Sequence, residues 1–351
     1  MRHTIVVTGG CGFIGSHFVR LLHTSRERWR IVNLDNLTYA GVTENLVDIG
    51  GGSRYRFVRG DITDAAVVDR LVRDEEPWAI VNFAAESHVD RSILDATPFL
   101  KTNVLGVEVL LQAARRHGVP RFLQISTDEV YGDVAAPAFT AEDAPLRPGS
   151  PYAASKAAAD LLCMAFYRTY GTPVVIARCA NNYGPFQFPE KLIPLMIHNA
   201  MVGEPLPVYG DGTQLRDWLY VDDSCDAILR VLDRGIPGTI YNTGTGEQRP
   251  NLAVVQGVCD LVADALHLDR EAMRSQIQFV RDRPGHDTRY AMDSAKIRLA
   301  LGWTPRVAFQ DGLRETVRWY LNHEEWVRGV TSGEYKAYYD AVYARAWNTT
   351  S

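Results

Sequence analysis

The sequence predicts an α/β fold, a doubly wound parallel sheet with a smaller lobe towards the C-terminus. Three observations carry that expectation. Short Val- and Ile-rich runs recur through the first 180 residues, apolar on both faces as buried parallel strands are. Amphipathic stretches of helical period alternate with them, as in strand–helix–strand units. A glycine-spaced turn joins the first run to the first helix.

Composition sets the outer bounds. The 351 residues are 46% hydrophobic and 23% charged, an ordinary globular make-up with core enough for one large domain or two intimate ones. A net charge of −5 argues against a nucleic-acid surface. Cys11, Cys163, Cys179, Cys225 and Cys259 lack metal or disulfide spacing and read as a reduced, cytoplasmic set with no metal site. The chain opens on an apolar strand and has no run long enough to span a bilayer, so no membrane association is expected.

Ile5, Val6 and Val7 form the first strand. Gly9, Gly12 and Gly15 then turn the chain into a helix over 16–22, and 31–35 is the next strand. Glycines so spaced permit a tight turn, close approach of backbone to a pyrophosphate, and close helix–strand packing. The helix N-terminus adds free N–H groups and a positive dipole end. Asp35 follows Gly15 by twenty residues, where a carboxylate bonds a ribose 2′-hydroxyl and repels a 2′-phosphate. A Rossmann-type dinucleotide site is expected, for NAD rather than NADP.

The run 56–58 leads into Asp61 and Ile62, placed to embrace an adenine, although helix capping also explains the acid. A strand over 79–83 ends at Ala84 and Ala85, small enough for a cofactor to pass close to the sheet. Helices are expected over 103–117 and 152–170; their small and apolar faces suit a homodimer interface or plain core packing. The buried run 121–125 delivers Ser126, Thr127, Asp128 and Glu129 to the carboxyl edge of the sheet, where open α/β sheets hold ligands. Tyr152 and Lys156 share one helix face. A phenol of pKa ~10 is a poor base near neutrality, and a neighbouring ammonium lowers it. A tyrosine so placed takes a proton from an alcohol while something else takes the hydride. Turn capping at 126–129 and a chance Tyr–Lys pair are the plainer alternatives.

Another strand covers 174–178. Beyond Asn181 the alternation gives way to segments rich in Pro, Gly and aromatics, as suits a smaller lobe over the cleft. Asp222 or Asp223 is expected to cap a helix after Tyr220, and a strand covers 240–243. The expected division is a dinucleotide domain over 1–180, rejoined by 214–245 and 286–310, with 181–351 mainly a smaller substrate lobe.

With these residues in view, the chain resembles the extended short-chain dehydrogenases/reductases, and among them the nucleotide-sugar 4,6-dehydratases. The resemblance rests on 8–15, 35–41, 84–92, 126–132, 150–156, 178–185, 188–194, 216–221 and 282–287, and it covers most of the chain. Thr127-Asp128-Glu129 before Val130-Tyr131-Gly132, with Phe188-Pro189-Glu190-Lys191 downstream, is the part specific to dehydratases. A short 133–149 segment and Ala180, where serine is common, depart from the pattern without removing a motif residue.

The resemblance implies that a nucleoside-diphosphate glucose, dTDP-glucose first, loses water to become a 4-keto-6-deoxy sugar. It implies a tightly bound NAD regenerated at each turnover, and a homodimer. Tyr152, aided by Lys156, would take the C4 hydroxyl proton while Thr127 orients that hydroxyl. Glu129 would take the C5 proton and Asp128 protonate the departing C6 hydroxyl, a division that needs one carboxyl kept protonated by its surroundings. Phe13, Ile14, Asn36 and Thr38 would join Gly9, Gly12, Gly15, Asp35, Asp61, Ile62, Ala84, Ala85, Tyr152 and Lys156 around the cofactor.

For the diphosphate, Arg216 is the first candidate because its planar fork suits phosphate oxygens; a surface ion pair with Asp217 or Asp222 is the alternative. Asn182, Asn251, Arg283 and His286 follow it. Ser87, Glu190 and Lys191 would reach the substrate, a solvated Glu190–Lys191 pair being the bland reading, and Pro207 to Tyr209 would lie against the base. His88 reads equally as a supporting histidine. UDP in place of dTDP stays open, as do a 4-epimerase, a UDP-glucuronate decarboxylase and a non-catalytic dinucleotide sensor.

Overall fold

The computed structural model describes residues 3–50 and 52–331. Strands β1 (Thr4–Thr8), β2 (Arg30–Asp35), β3 (Tyr55–Arg59), β4 (Ala79–Asn82), β5 (Phe122–Thr127) and β6 (Val174–Cys179) build most of a large sheet. The chain leaves it for β7 (Asn181–Tyr183), β8 (Leu206–Tyr209) and β9 (Leu215–Tyr220), then returns as β10 (Thr239–Thr243). The large sheet runs β3-β2-β1-β4-β5-β6-β10, every pair parallel. Its winding reverses between β1 and β4, the place where such a sheet opens a crevice at its carboxyl edge.

Both faces are covered, which is why the strands are apolar throughout. Ile5, Val7, Val81, Leu123, Ile125 and Ala177 share a core with Phe18 and Leu22 of the helix Phe13–Ser25 and with Ile228 and Leu232 of the helix Val221–Arg234. The alternate residues Val6, Ile80, Phe122, Val174 and Ile176 meet Val68 and Leu71 of Ala65–Glu75, Leu110 and Leu111 of Val107–Arg116, and Cys163 and Phe166 of Pro151–Tyr170. Each such fully buried side chain contributes about 1.5–3 kcal/mol. The smaller lobe has its own core, with Tyr183, Ile193, Val208, Trp218, Val255, Leu313 and Tyr320. There β9 lies between β7 and the antiparallel β11 (Gln248–Pro250), and β12 (Ile277–Val280) runs parallel to β8.

Several expectations change. The first helix is longer than 16–22, and the one expected from 103 starts at Thr97 and passes through a π-helical stretch, Leu100–Gly106, before Val107–Arg116. That stretch carries Asn103, whose amide bonds both the N–H and the carbonyl of Glu86 at 2.9 Å. Strand β9, inside the segment expected to rejoin the large sheet, pairs in the small one; the return begins with the helix at Val221. Neither Asp222 nor Asp223 caps that helix: Asp222 accepts from His17, and Asp223 from the N–H groups of Arg306 and Val307. Met292, Ile297, Leu301 and Trp303 do join the large-sheet core. All five cysteines are free and buried. Among the described residues no helix is long and apolar enough to cross a membrane, and no three His, Cys, Asp or Glu side chains gather as a metal site. Positions 332–351 of the expected second lobe lie outside the described residues.

Candidate active site

A cleft of about 300 Å³ opens at the carboxyl edge, lined by the ends of β1, β2, β4 and β5. All the residues expected around a dinucleotide lie on it: Gly9, Gly12, Phe13, Ile14, Gly15, Asp35, Asn36, Thr38, Asp61, Ile62, Ala84, Ala85, Tyr152 and Lys156. The glycine turn is sterically compulsory. Gly9 sits at φ +70, and a Cβ there would stand 2.5 Å from the Ala84 nitrogen; one at Gly15 would stand 2.2 Å from the Gly9 carbonyl oxygen. The helix Phe13–Ser25 begins at Gly12 with no capping side chain and no acid in its first turn, which leaves its N–H groups and dipole to an anion.

Asp35 is buried, and it accepts from the N–H groups of Cys11 and Leu37, each at 2.8 Å. It thus braces the glycine turn while lining the cleft. Asp61 is bonded by Asn36 and by Thr63, and the cap of the next helix is Asp64 instead. Ser126 Oγ, Asn181 Oδ1, Asn182 Oδ1 and Gln187 Oε1 line the same cleft, buried and without a protein partner. Orphaned acceptors and hydroxyls beside an anion-receiving turn fit a polar nucleotide cofactor.

Strand β5 ends in the short turn Asp128–Tyr131, where Thr127 Oγ1 accepts from the Glu129 N–H at 3.3 Å and donates to Asp128 Oδ1 at 3.1 Å. Ser150 caps the helix Pro151–Tyr170 by accepting from the Ala153 N–H at 3.1 Å, with Pro151 in the first turn, so Tyr152 and Lys156 face inward from its first two turns. Burial, then the neighbouring Glu129 carboxylate and Asp217, push Asp128 up to about 8, against the pull of Arg216 and the Thr127 hydroxyl. Asp128 is therefore a neutral acid at pH 7.

The expectation for Tyr152 is corrected. Burial holds its phenol well above the usual value, and Glu129 and Asp128 push the same way, opposed by the Thr127 hydroxyl. The Lys156 ammonium, lowered by burial, donates to the Ile125 carbonyl at 2.6 Å rather than to the phenol.

Beyond Glu129 lies a second group. Arg216 is buried, with its guanidinium 4.1 Å from the Tyr290 ring centroid and donating to the carbonyls of Leu215 and Asp287, each at 2.8 Å. It pairs with neither Asp217 nor Asp222: Asp217 accepts from Thr245 and Gly246, and Asp222 from His17. Arg283 lies 3.5 Å from Asp90, which also accepts from Tyr209 at 2.9 Å. Burial opposes the Arg283 charge, but Glu129 and Asp90 outweigh it and raise its pKa. His286 bonds Asp282 at 2.6 Å, and burial followed by Arg283 lowers it to about 4. The Asn251 Oδ1 is buried without a partner, and Pro207 is buried on β8.

The remaining expected contacts divide. Ser87, Asn182, Glu190 and Lys191 line the cleft; His88 does not, and its ring meets the Glu190 carbonyl at 3.0 Å, with burial keeping it neutral. Glu190 and Lys191 are not a solvated pair, since the lysine donates to the Ser87 carbonyl and both Glu190 oxygens are taken by Tyr39 and Arg91. Thr102, Asn181, Gln187 and Phe188 line the cleft without having been singled out, although three of them fall in the resembling stretches 178–185 and 188–194 or at their edge.

Comparison with known proteins agrees with this geometry. A family model described as GDP-mannose 4,6 dehydratase matches residues 6–316. A protein of Xanthomonas campestris pv. campestris (strain B100) named dTDP-glucose 4,6-dehydratase is 50% identical, over 95% of this chain and 97% of its own length. One of Escherichia coli K12, dTDP-glucose 4,6-dehydratase 1, is 46% identical over 97% and 98%. The crystal structure of DesIV, a dTDP-glucose 4,6-dehydratase from Streptomyces venezuelae with NAD and dTDP bound, superposes with a TM-score of 0.88 at 47% identity, covering 93% of this chain and 99% of that one. The UDP-glucose 4-epimerase of Thermus thermophilus in complex with NAD gives 0.82 at 33% identity, over 91% and 99%.

Proposed function

Because the chain belongs to the family described as GDP-mannose 4,6 dehydratase, we propose that it is an NAD-dependent dTDP-glucose 4,6-dehydratase. It converts dTDP-glucose to dTDP-4-keto-6-deoxyglucose and water. Bound NAD supplies the acceptor of the C4 hydride and returns that hydride to C6, so it is regenerated at each turnover. The glycine turn and the N-terminus of the helix Phe13–Ser25 hold its phosphates, and Asp35, Asp61 and Ile62 its adenosine half.

The chain's own residues divide the proton traffic. Tyr152 takes the C4 hydroxyl proton with Thr127 orienting the hydroxyl, and Lys156 is the chain's cation on that helix face. The phenol starts from an unfavourable pKa, which makes removal of the C4 proton the step most dependent on added positive charge. Once C4 is a ketone, Glu129 removes the acidified C5 proton and Asp128 gives its proton to the departing C6 hydroxyl, which leaves as water; when C6 takes the hydride, Glu129 returns a proton to C5. The observation that carries the assignment is the pair of adjacent carboxyl side chains at the end of β5, Asp128 buried and Glu129 beside it, both lining the cleft with Tyr152: elimination needs an acid and a base together, and epimerisation at C4 does not. Arg216 and Arg283, beyond Glu129, are the diphosphate cations. Label transfer tests the scheme. With dTDP-glucose deuterated at C4 and no added NAD, deuterium is expected at C6 of the product; label left at C4 or washed into solvent overturns it.

The working division is a cofactor lobe of 1–180 with the returning segments from Val221 and from 286, and a substrate lobe over most of 181–331. The protein works as a homodimer through a helix bundle: Leu100 and Leu105 on the π-helical stretch Leu100–Gly106 and Leu161 on Pro151–Tyr170 are 52%, 58% and 62% exposed, apolar side chains that a partner copy would cover. A monomer in sedimentation at working concentration would exclude this. Five free cysteines suit the cytoplasm. The dTDP preference over UDP rests on the relatives, since one ring methyl contributes only ~1 kcal/mol.

A further inference from the structure

We propose that Tyr39, Arg91 and Glu190 form a latch that ties three separate segments across the dinucleotide cleft and sets how slowly the cofactor leaves. This rests on the NAD-dependent reading above. The Tyr39 hydroxyl donates to Glu190 Oε1 at 2.9 Å, and Arg91 Nε to Oε2 at 3.2 Å. The Arg91 guanidinium also lies 3.9 Å from the Tyr39 ring centroid, and that ring meets Phe188 edge-on at 5.4 Å.

These residues come from segments far apart in the chain, two loops and the short helix Val89–Leu94 that carries Arg91. Tyr39 follows β2, and its neighbours Thr38, Ala40 and Gly41 line the cleft. Arg91 follows β4, just beyond the lining residues Glu86 and Ser87. Glu190 follows β7, next to the lining residues Phe188 and Lys191. Backbone-level ties reinforce the junction, with His88 on the Glu190 carbonyl and Lys191 on the Ser87 carbonyl at 2.5 Å.

The Glu190 side chain is 1% exposed, and both its oxygens are engaged by the other two segments. A carboxylate so buried needs those partners, since losing one leaves charge without compensation. It is therefore committed to holding the segments rather than to reaching a sugar. Burial, then Glu190, keep the Tyr39 phenol protonated far beyond neutral pH, so the donor is permanent. An enzyme that exchanges its cofactor every cycle would be slowed by such a latch. One that regenerates it in place loses nothing.

The test uses the purified holoenzyme loaded with radiolabelled NAD and chased with unlabelled NAD. Tyr39→Phe, which keeps the ring, and Arg91→Met should each release label about 10- to 100-fold faster than wild type, from the loss of one charge-assisted hydrogen bond. With saturating NAD their turnover should stay near wild type. The double variant should fall short of the product of the two effects, because both act through Glu190. Wild-type release rates in both variants would overturn the latch, as would effects that simply multiply or a lowered melting temperature with unchanged release. A wild-type protein that binds no NAD even at millimolar concentration would overturn the NAD reading itself.

Discussion

Asp128→Asn should remove the acid of the elimination and add stability, in a manner that depends on pH. Burial, Glu129 and Asp217 raise the Asp128 carboxyl to about 8 in the folded protein. In the unfolded chain the same group titrates near ~3.9. Between those values the native state keeps a proton that the unfolded state has lost. Wild-type stability therefore falls as pH rises through the window, by about 1.4 kcal/mol per unit at full slope, and levels off above the folded pKa. Asparagine does not titrate, yet it keeps the oxygen to which Thr127 donates at 3.1 Å. The difference in urea stability, variant minus wild type, should grow by roughly 3 kcal/mol between pH 5 and pH 7, because all other titrations cancel. In activity, wild-type dehydration should decline above about pH 8 as the acid is lost, while the variant oxidises C4 and stalls at every pH. A stability difference that stays flat from pH 5 to 7 would mean that Asp128 titrates as an ordinary carboxyl, and it would lose its role as the acid.

Other changes separate the remaining parts. Glu129→Gln should keep its NAD and still exchange hydride at C4 but release no water; full dehydration by that variant removes Glu129 from the scheme. Gly15→Ala places a methyl 2.2 Å from the Gly9 carbonyl oxygen and should abolish NAD co-purification while circular dichroism stays native; undiminished NAD content would show that the turn is not the phosphate site. Arg178→Met strands the buried Asp160 carboxylate that Arg178 holds at 2.8 Å and should cost about 3–5 kcal/mol in urea unfolding, a loss under 1 kcal/mol marking the pair as dispensable.

How far the sequence could be read depended on how local the physics was. The glycine turn, its helix and Asp35 lie within one strand–helix–strand unit, so spacing alone placed them. Asp128 and Glu129 were legible as a carboxylate pair at a strand end, but the proton on Asp128 depends first on its burial and then on Glu129, and burial is set by segments distant in sequence. Helical spacing correctly put Lys156 on the face of Tyr152. It could not reveal that the Ile125 carbonyl captures the ammonium, or that burial and then the Glu129 carboxylate hold the phenol up.

Adjacency suggested two alternative pairings that the structure does not form. Arg216 and Asp217 are neighbours on β9, where successive side chains point to opposite faces, so they cannot pair. Glu190 and Lys191 are neighbours as well, yet each is committed to a different loop of the cofactor lobe. The fate of β9 was hidden for a related reason: a strand's own residues carry no mark of which sheet it will join.

Product masses test the assigned reaction most directly. The purified protein, with no added NAD, is incubated separately with dTDP-glucose, UDP-glucose and UDP-glucuronate. Loss of one water from dTDP-glucose, about fivefold faster than from UDP-glucose and with UDP-glucuronate left intact, is the expected result. An isomer of unchanged mass, loss of carbon dioxide, or no reaction with any sugar even after NAD is added would contradict it.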